Sequence, residues 1–391
     1  MKIGLALSGG GFRATVFHLG VLARLAEDDL LKDVQIVSTV SGGSLCAALL
    51  FASSDNQWPT SSHLIEKIIP RARTLIAARD MQLNVIRRFF KSPLDFLTTR
   101  ADDLAEMLSV HWGVHGKVSD LPASPRWLIN ATCYETGKNW RFEKNRMGDF
   151  QYGFSQDTNF PLRRAVASSC GFPGLIGALP FDASPYKWFK YADGDTANKA
   201  ENAFLRSGAT QSYAPDFTQL HLWDGGAYDN LGVEGVMDIV GGWRQGIDFV
   251  MVSDAATRAK VEQYKIGMNA AMRIIVGVMM DQILELRMRE VRERIDNHKD
   301  RGVYLRVDTN CARVLGDFKR QDIVAAIAPQ CLSDTEAQAA ADTETTLRKF
   351  TPIEFDRLFR QGFEVADYTL HASYPQDFKF VGYLNSRWGK R

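Results

Sequence analysis

The sequence predicts an α/β protein with a mainly parallel central sheet that is covered by helices. The apolar run Ile3–Leu7 ends at three consecutive glycines, and apolar residues then recur at helical spacing over residues 15–26. A second apolar run, 34–40, ends at Ser-Gly-Gly and precedes a buried helical pattern over 44–51. Strand, glycine turn and helix thus follow one another twice. This is the βαβ order of a parallel sheet with helices on both faces.

The rest of the chain continues this pattern and then becomes helical. Further strands are predicted at 127–133, 219–223, 249–253 and 303–307, and helices at 267–298, 335–349 and 352–366. We expect residues 1–310 to form one α/β unit and residues 311–391 to form a helical extension packed on it.

Composition excludes several classes of protein. Among 391 residues, 45% are hydrophobic and 24% are charged, which is typical of a globular chain. The net charge is only +1, which argues against nucleic-acid binding through a basic surface. No apolar stretch suits a signal-peptide core or a membrane span, so we expect a cytoplasmic protein. The five cysteines form no CxxC pair and predict free thiols: Cys46, Cys133, Cys170, Cys311 and Cys331.

The first functional candidate is the glycine loop Gly9, Gly10 and Gly11, followed by Phe12 and Arg13. Glycines let backbone N–H groups approach a ligand, and the helix N-terminus behind them favours negative charge. The loop could therefore hold a phosphate or an oxyanion. With the alanine at position 14 it also satisfies the dinucleotide pattern G-x-G-x-x-A, but no acidic residue ends the second strand to bind a ribose.

Two further candidates are a serine and an aspartate. Ser41, followed by Gly42 and Gly43, suits a nucleophile elbow between a strand and a helix, although Thr39 replaces the first glycine of G-x-S-x-G.

Asp224 follows the strand at 219–223, and Gly225 and Gly226 come after it, so we expect it at the carboxyl edge of the parallel sheet. Taken alone, either motif could be an ordinary turn.

Together the three motifs supply the nucleophile, base and oxyanion donors that acyl transfer requires. A Ser-His-Asp triad would need a histidine after Asp224, and His298 and His371 are both expected on the surface. A Ser-Asp dyad of Ser41 and Asp224 is therefore favoured, and the triad stays an alternative. No cluster of metal-ligating residues is visible, and this chemistry needs no cofactor.

The set of motifs resembles the patatin-like phospholipase family of bacterial type, and the Gly-Gly-Gly-Phe-Arg-Ala stretch is similar to the catalytic domain of cytosolic phospholipase A. The resemblance covers roughly residues 1–255 and implies a three-layer α/β/α fold. It further implies that Ser41 is the nucleophile, Asp224 the base, and the N–H groups of Gly10 and Gly11 the oxyanion hole. Arg13 would steady the loop, meet a lipid phosphate or form a structural ion pair.

The implied function is hydrolysis of carboxylic ester bonds in phospholipids or other lipid esters, with release of fatty acid. The implied partner is the lipid, with peripheral membrane contact. The basic stretch 71–91 could lie on an anionic membrane or form an ordinary helix pair. The Met-rich start of the 267–298 helix could line an acyl-chain site, form a lid or fill the core. Two further hypotheses are a signal-activated membrane-degrading effector of the family and a catalytically silent binding module.

Overall fold

The computed structural model describes residues 1–78, 80–81, 100–191, 210–238, 241–256, 258, 261–264, 266–297 and 299–388. Its strands are β1 (Ile3–Leu7), β2 (Val34–Thr39), β3 (Arg126–Cys133), β4 (Lys138–Glu143), β5 (Arg146–Asp149), β6 (Gly153–Ser155), β7 (Leu179–Asp182), β8 (Trp188–Tyr191), β9 (Thr210–Tyr213), β10 (Gln219–Asp224), β11 (Met237–Asp238), β12 (Gly242–Trp243), β13 (Phe249–Asp254) and β14 (Gly302–Arg306).

The α-helices are α1 (Gly11–Glu27), α2 (Gly42–Ala52), α3 (Ser61–His63), α4 (Ile69–Ala78), α5 (Arg100–Met107), α6 (Leu162–Ser169), α7 (Gly226–Asp229), α8 (Met268–Met272), α9 (Met280–Asp296), α10 (Cys311–Asp317), α11 (Gln321–Ile327), α12 (Asp334–Ala341), α13 (Pro352–Ser373) and α14 (Asn385–Trp388). The π-helical segment Arg273–Met279 joins α8 and α9 into one continuous helix. Within the described ranges, no helix is both long and apolar enough to cross a bilayer.

The core of the sheet is parallel, as predicted. Strands β14, β13, β1, β2 and β3 lie side by side in that order, and each neighbouring pair is parallel. Strands β4, β5, β6, β8 and β9 extend the sheet beyond β3 in antiparallel fashion. This extension was not predicted from the sequence. Its strands are only three to six residues long, so they carry little periodic signal.

The sheet buries both of its faces, which explains the near-continuous apolar runs of its parallel strands. In β1, Leu5 and Leu7 join the larger core cluster, whereas Ala6 joins a second cluster on the opposite face. Helices α1, α2 and α13 contribute to the larger cluster. Leu284 and Met288 of α9 contribute to the second cluster. The alternation of Cβ directions along each strand thus produces the expected three layers.

One local register brings β2 and β10 to the same edge of β3. Thr39 at the end of β2 pairs with Ile129 in a parallel ladder, and Asp224 at the end of β10 pairs with Ala131 in an antiparallel one. Strand β4 occupies the other edge of β3. Strands β2 and β10 therefore approach from opposite directions and end facing each other. We expected Asp224 at the carboxyl edge of the parallel sheet. It lines the same cavity as the residues that follow β1 and β2, but its own strand, β10, runs antiparallel to β3.

The C-terminal helices return the chain to its beginning. Helix α13 packs along α1, and a Cβ on Gly20 would lie 2.1 Å from the carbonyl oxygen of Phe359. Buried Arg24 and Asp367 form an ion pair of 2.5 Å between these two helices. The close packing needs the glycine, because any side chain there would force the helices apart.

Two helix ends in this region differ from the sequence predictions. The helix predicted over 335–349 ends at Ala341, because the chain then turns so that the carbonyl of Thr346 accepts the N–H of Phe12 at 2.9 Å. Helix α13 continues past the predicted residue 366 to Ser373, and Thr351 caps its first turn. The loop after α12 thereby reaches the glycine loop at the start of α1.

Candidate active site

A cavity of about 620 Å³ lies where β1, β2 and β10 end. One part of its wall is polar and is formed by the glycine loop, Ser41 and Asp224. The other part is mostly apolar. Its lining residues are Gly9, Gly10, Gly11, Arg13, Ser41, Leu45, Cys170, Phe172, Pro173, Gly174, Leu175, Ile176, Asp224, Asn230, Ala256, Arg258, Arg273, Val276, Gly277, Met280, Asp281, Leu284, Thr345, Thr346 and Leu347. A long apolar ligand with one polar reacting group would match this division.

Ser41 occupies a strained turn between β2 and α2. Its φ of 49° and ψ of −114° lie outside the regions that a non-glycine residue normally adopts. The turn is tight: a Cβ on Gly42 would lie 2.3 Å from the carbonyl of Gly11, and one on Gly43 would lie 2.2 Å from that of Leu7. This is the geometry of a nucleophile elbow, in which the hydroxyl stands at the end of the sheet.

Thr39 occupies the place of the missing elbow glycine without disturbing the strand. Its hydroxyl lies 2.8 Å from the hydroxyl of Ser44 and accepts the indole N–H of Trp127 at 2.9 Å. The Ser44 hydroxyl lies 2.8 Å from that of Ser169, which accepts the backbone N–H of Ser41 at 3.0 Å. A buried chain of three hydroxyl groups, those of Thr39, Ser44 and Ser169, thus connects the end of β2 to the backbone N–H of Ser41.

Asp224 is buried beside Ser41. Its Oδ1 accepts the N–H of Gly226 at 2.8 Å, whereas Oδ2 has no regular hydrogen bond among the described residues. Burial raises the pKa of Asp224 to about 7, and the N–H of Gly226 and the Ser41 hydroxyl oppose that rise. The hydroxyl is thus near enough to affect the pKa, although it does not meet the geometry of a full hydrogen bond. Oδ2 is the oxygen that can accept a proton.

The glycine loop holds two free donors. Gly10 has a φ of 138° and Gly11 a φ of 58°, both in the region that favours glycine. In the described part of the chain, no acceptor takes the N–H of either residue. The neighbouring N–H of Gly9 is bonded to the carbonyl of Asn230 at 3.0 Å, and a Cβ on Gly9 would lie 2.3 Å from Asn230 Oδ1. Two unbonded N–H groups at the start of α1 can stabilise a developing negative charge.

Arg13 lies behind the loop and is 1% exposed. Its Nε donates to the carbonyl of Ala255 at 3.0 Å and its Nη1 to that of Thr343 at 2.9 Å. Burial lowers its pKa to about 10, and the carboxylate of Asp254 opposes that shift. The side chain therefore stays charged at neutral pH and joins the loop to two other segments that border the cavity.

No described histidine lines the cavity. His18 is buried between Ser253 and the carbonyl of Ser8, and burial lowers its pKa to about 4, so the ring is neutral. His371 contacts the carbonyl of Phe378 at 2.9 Å, and His298 lies outside the described residues. His221 pairs with Glu135 near the surface. The described residues thus offer Ser41 no histidine partner. They also contain no cluster of three or more metal-ligating side chains.

Several residues that line or support the site were not predicted from the sequence. Ser169 and Cys170 contact the backbone of Ser41, and Asn230 borders the glycine loop. The loop at 345–347 reaches the cavity from the far end of the chain. Ser169 ends a short Ala-Ser-Ser stretch and Asn230 an Asp-Asn pair, but only the fold reveals what these residues contact.

The outcome for the Met-rich helix is mixed. Met280 lines the cavity, whereas Met268 and Met279 are exposed. The part of the basic stretch that includes Phe89 and Phe90 lies outside the described residues.

Comparison with known proteins decides the family. The patatin-like phospholipase family profile matches residues 5–237, which is more than half of the chain. This chain belongs to the patatin-like phospholipase family. The matched range includes the glycine loop, Ser41 and Asp224.

Individual relatives are distant. A patatin-like phospholipase domain-containing protein from Pyricularia oryzae (strain 70-15) is 25% identical over 217 residues, which cover 55% of this chain and 24% of the relative. The matched region therefore spans about a quarter of that relative's length.

Human GIVD cytosolic phospholipase A2 has the same fold, with a TM-score of 0.53, 17% identity, and coverage of 94% of this chain and 58% of that one. A second structure of that protein, with a methyl γ-linolenyl fluorophosphonate inhibitor and terbium chloride, has a TM-score of 0.50 and 15% identity, and covers 100% of this chain and 60% of that one.

Proposed function

We propose that this protein is a serine acyl hydrolase that releases fatty acid from phospholipids or related lipid esters through a Ser41–Asp224 dyad. The observation that carries the proposal is the meeting of a strained serine and a buried carboxylate at a cavity with a mostly apolar wall. The family and the fold support it. The inhibitor bound to the human phospholipase of that fold supports it as well, because its name includes a linolenyl chain.

In the proposed mechanism, Asp224 Oδ2 takes the proton of the Ser41 hydroxyl as its oxygen attacks the ester carbonyl carbon. Negative charge develops on the carbonyl oxygen, next to the N–H groups of Gly10 and Gly11. The ester C–O bond then breaks, and the leaving alcohol takes the proton from Asp224. Water attacks the acyl-enzyme with Asp224 again as base, which releases fatty acid and restores Ser41.

Residues 311–391 are proposed to be an extension that completes the catalytic unit formed by residues 1–310. Helix α13 holds the extension against α1, and its loop supplies Thr345, Thr346 and Leu347 to the cavity wall. The extension would therefore contribute to the shape of the acyl-chain site.

The deciding experiment measures fatty-acid release from mixed phosphatidylcholine and phosphatidylglycerol vesicles, beside hydrolysis of a short-chain p-nitrophenyl ester. Release from vesicles would support the proposed substrate class. Hydrolysis of the short ester alone would retain the hydrolase and contradict the phospholipid substrate. Inactivity on both would contradict the proposed enzyme.

Replacing Gly10 with alanine is expected to reduce kcat about 10²–10³-fold, the usual cost of losing one oxyanion donor. The backbone φ of 138° is strained for alanine, so the N–H group would move away from the reacting oxygen. Gly137→Ala is the matched control, because Gly137 has a φ of 64° in an open turn with no atom within 4 Å of a Cβ. Equal kcat values for the two variants would contradict the role of Gly10.

The helix that borders the cavity is proposed to contact the lipid surface. Its inner side presents Val276, Met280 and Leu284 to the cavity. Its outer side and the segment before it expose apolar side chains to solvent: Val261, Tyr264, Ile266, Met268, Ile274, Ile275, Val278 and Met279. An apolar surface continuous with the wall of a lipid-binding cavity is suited to rest on a bilayer while the substrate enters.

Met279→Asp and Ile275→Asp are therefore expected to reduce vesicle hydrolysis about tenfold and to leave hydrolysis of the soluble ester unchanged. A charge on this surface must be desolvated when it meets acyl chains, which opposes binding. Ile353→Asp is the control, because Ile353 is 69% exposed at the start of α13 and does not line the cavity. An equal loss with Ile353→Asp, or no loss in the other two, would contradict this contact.

A further inference from the structure

Residues 169–171, here called the bridging segment, contact Ser41 at both of its backbone polar groups. The N–H of Ser41 donates to the hydroxyl of Ser169 at 3.0 Å, and the thiol of Cys170 donates to the carbonyl of Ser41 at 3.4 Å. Burial raises the pKa of the Cys170 thiol well above its ordinary value, so the sulfur keeps the proton that it donates. The strained backbone of Ser41 is thus held from both sides.

The same segment also accepts two bonds from the turn that carries the carboxylate. The N–H of Asp224 donates to the carbonyl of Gly171 at 3.2 Å, and the N–H of Gly225 donates to that of Ser169 at 3.4 Å. The Ser169 carbonyl is at the C-terminus of α6, where helix carbonyls lack an intrahelical donor. A Cβ on Gly171 would lie 2.7 Å from the carbonyl of Gly177 and 3.2 Å from the Asp224 nitrogen, so the close approach requires glycine.

This double contact matters because, within the described sheet, β2 and β10 are not paired with each other. Ser41 follows one strand and Asp224 ends the other, and each strand is paired with β3. The distance between the Ser41 hydroxyl and the Asp224 carboxylate therefore depends on the contacts that connect the ends of β2 and β10. The bridging segment connects them with four hydrogen bonds, two to each side.

The hydroxyl of Ser169 is itself held in place. It ends the buried chain that runs through Ser44 and Thr39 to the indole of Trp127. The indole N–H and the Ser41 N–H can only donate, so the oxygens at both ends of the chain must accept. Such a fully buried polar chain fixes the Ser169 hydroxyl toward Ser41 and gives it little freedom to rotate.

We propose that Ser169 is a positioning residue, whose hydroxyl and carbonyl hold the Ser41 elbow and the Asp224 turn at reacting distance. The inference rests on the proposed function, because it assigns Ser169 a part in the reaction of Ser41 and Asp224. Ser169 does not line the cavity, so its effect passes through the geometry of these two residues. A misplacement of about 1 Å can cost on the order of 10²-fold in rate.

The test compares Ser169→Ala with Ser168→Ala. Ser168 is an ideal control, since it is equally buried on the same helix but donates to the carbonyl of Ala165 at 2.8 Å. Ser169→Ala is expected to reduce kcat about 10- to 100-fold with KM within about twofold, and Ser168→Ala to keep the wild-type kcat. Ser169→Thr retains the hydroxyl and should recover part of the loss. Equal kcat values for the two alanine variants, at equal thermal stability, would overturn the proposal.

Hydrogen exchange provides a readout that does not depend on activity. The peptide that covers residues 39–45 is expected to exchange faster in Ser169→Ala than in Ser168→Ala, because the variant loses the acceptor of the Ser41 N–H. The peptide that covers residues 222–228 should change less, because the backbone carbonyls that accept the N–H groups of Asp224 and Gly225 remain. If wild type hydrolyses no ester but this selective increase occurs, the proposed function fails and the bridge stands as a structural link. If neither peptide changes selectively, the bridge is overturned whatever the activity.

Discussion

Ser41→Ala is expected to reduce hydrolysis of vesicle phospholipid and of a soluble ester on the order of 10⁴-fold or more, because the variant lacks the attacking oxygen. The remaining donors at Gly10 and Gly11 can still bind a carbonyl oxygen but cannot form an acyl-enzyme. The two substrates should lose activity together, since both would use the same nucleophile. Initial rates measured at saturating substrate check this expectation.

The Ser41→Ala variant should fold normally, so a loss of activity can be assigned to the missing hydroxyl. Alanine adopts the φ of 49° at about the same cost as serine, and the Ser41 N–H keeps its bond to Ser169. Ser62→Ala is the matched control, because Ser62 is an exposed serine whose hydroxyl contacts that of Thr60, away from the cavity. A fluorophosphonate probe should label wild type and Ser62→Ala but not Ser41→Ala. Substantial activity or labelling in Ser41→Ala would reject it as the nucleophile.

The parallel part of the fold was predictable because its signals are local. The runs that become β1 and β2 are mostly apolar, and each ends in a glycine-rich turn before a helix. Apolar runs of this length between glycine-rich turns are typical of strands in a parallel sheet that is buried on both faces. The glycine loop comes directly after β1, and Ser41 comes directly after β2. Because these strands are neighbours, the sequence pattern alone predicts that the two motifs lie close together.

The neighbourhood of Asp224 was not predictable in the same way. The residue was identified from the Asp-Gly-Gly turn, but its strand runs in the direction opposite to the one expected. Asp224 lies near Ser41 because β2 pairs with the first part of one edge of β3 and β10 pairs with the last part of the same edge. A single sequence shows which segments form strands, but the choice of partner and direction depends on long-range packing.

The contacts around the site were hidden for the same physical reason. Ser169 lies 128 residues from Ser41, and the carbonyl of Thr346 meets the N–H of Phe12 from near the other end of the chain. No local pattern distinguishes a serine that bonds its own helix, such as Ser168, from one that supports an elbow. The hydroxyl of Thr39 is similar: the sequence shows only a missing glycine, whereas the fold gives that hydroxyl three partners, namely the Ser44 hydroxyl, the Trp127 indole and the carbonyl of Leu128.

Asp224→Asn is expected to abolish hydrolysis nearly as completely as Ser41→Ala, because an amide cannot accept the serine proton. In wild type, kcat/KM should rise with pH and reach half its plateau near pH 7, since burial raises the pKa of Asp224 to about 7 and only the ionised form acts as base. A kcat/KM profile that is flat from pH 5 to 9, or residual activity of Asp224→Asn near that of wild type, would contradict this assignment.

The same substitution should stabilise the folded protein, which gives the assignment a second and independent test. The pKa of Asp224 is higher in the folded state than the ordinary value of 3.8, so the folded protein binds more protons between about pH 4 and pH 7. The free energy of unfolding therefore falls as pH rises through this range, by up to about 4 kcal/mol at about 1.4 kcal/mol per pH unit. Asparagine carries no such cost and keeps an oxygen for the Gly226 N–H.

Denaturant unfolding of Asp224→Asn and wild type at pH 8 and pH 4.5 measures this difference directly. We expect the variant to be more stable at pH 8 and the two proteins to converge as the pH falls, because wild-type Asp224 is then neutral and resembles the amide. Asp248→Asn is the control, because Asp248 is an exposed carboxylate that accepts the backbone N–H of Lys2. This variant should show no pH-dependent gain in stability. If Asp224→Asn and wild type were equally stable at both pH values, burial of the Asp224 carboxylate would not destabilise the folded protein. Without that cost, Asp224 would be too weak a base near neutral pH for the proposed dyad.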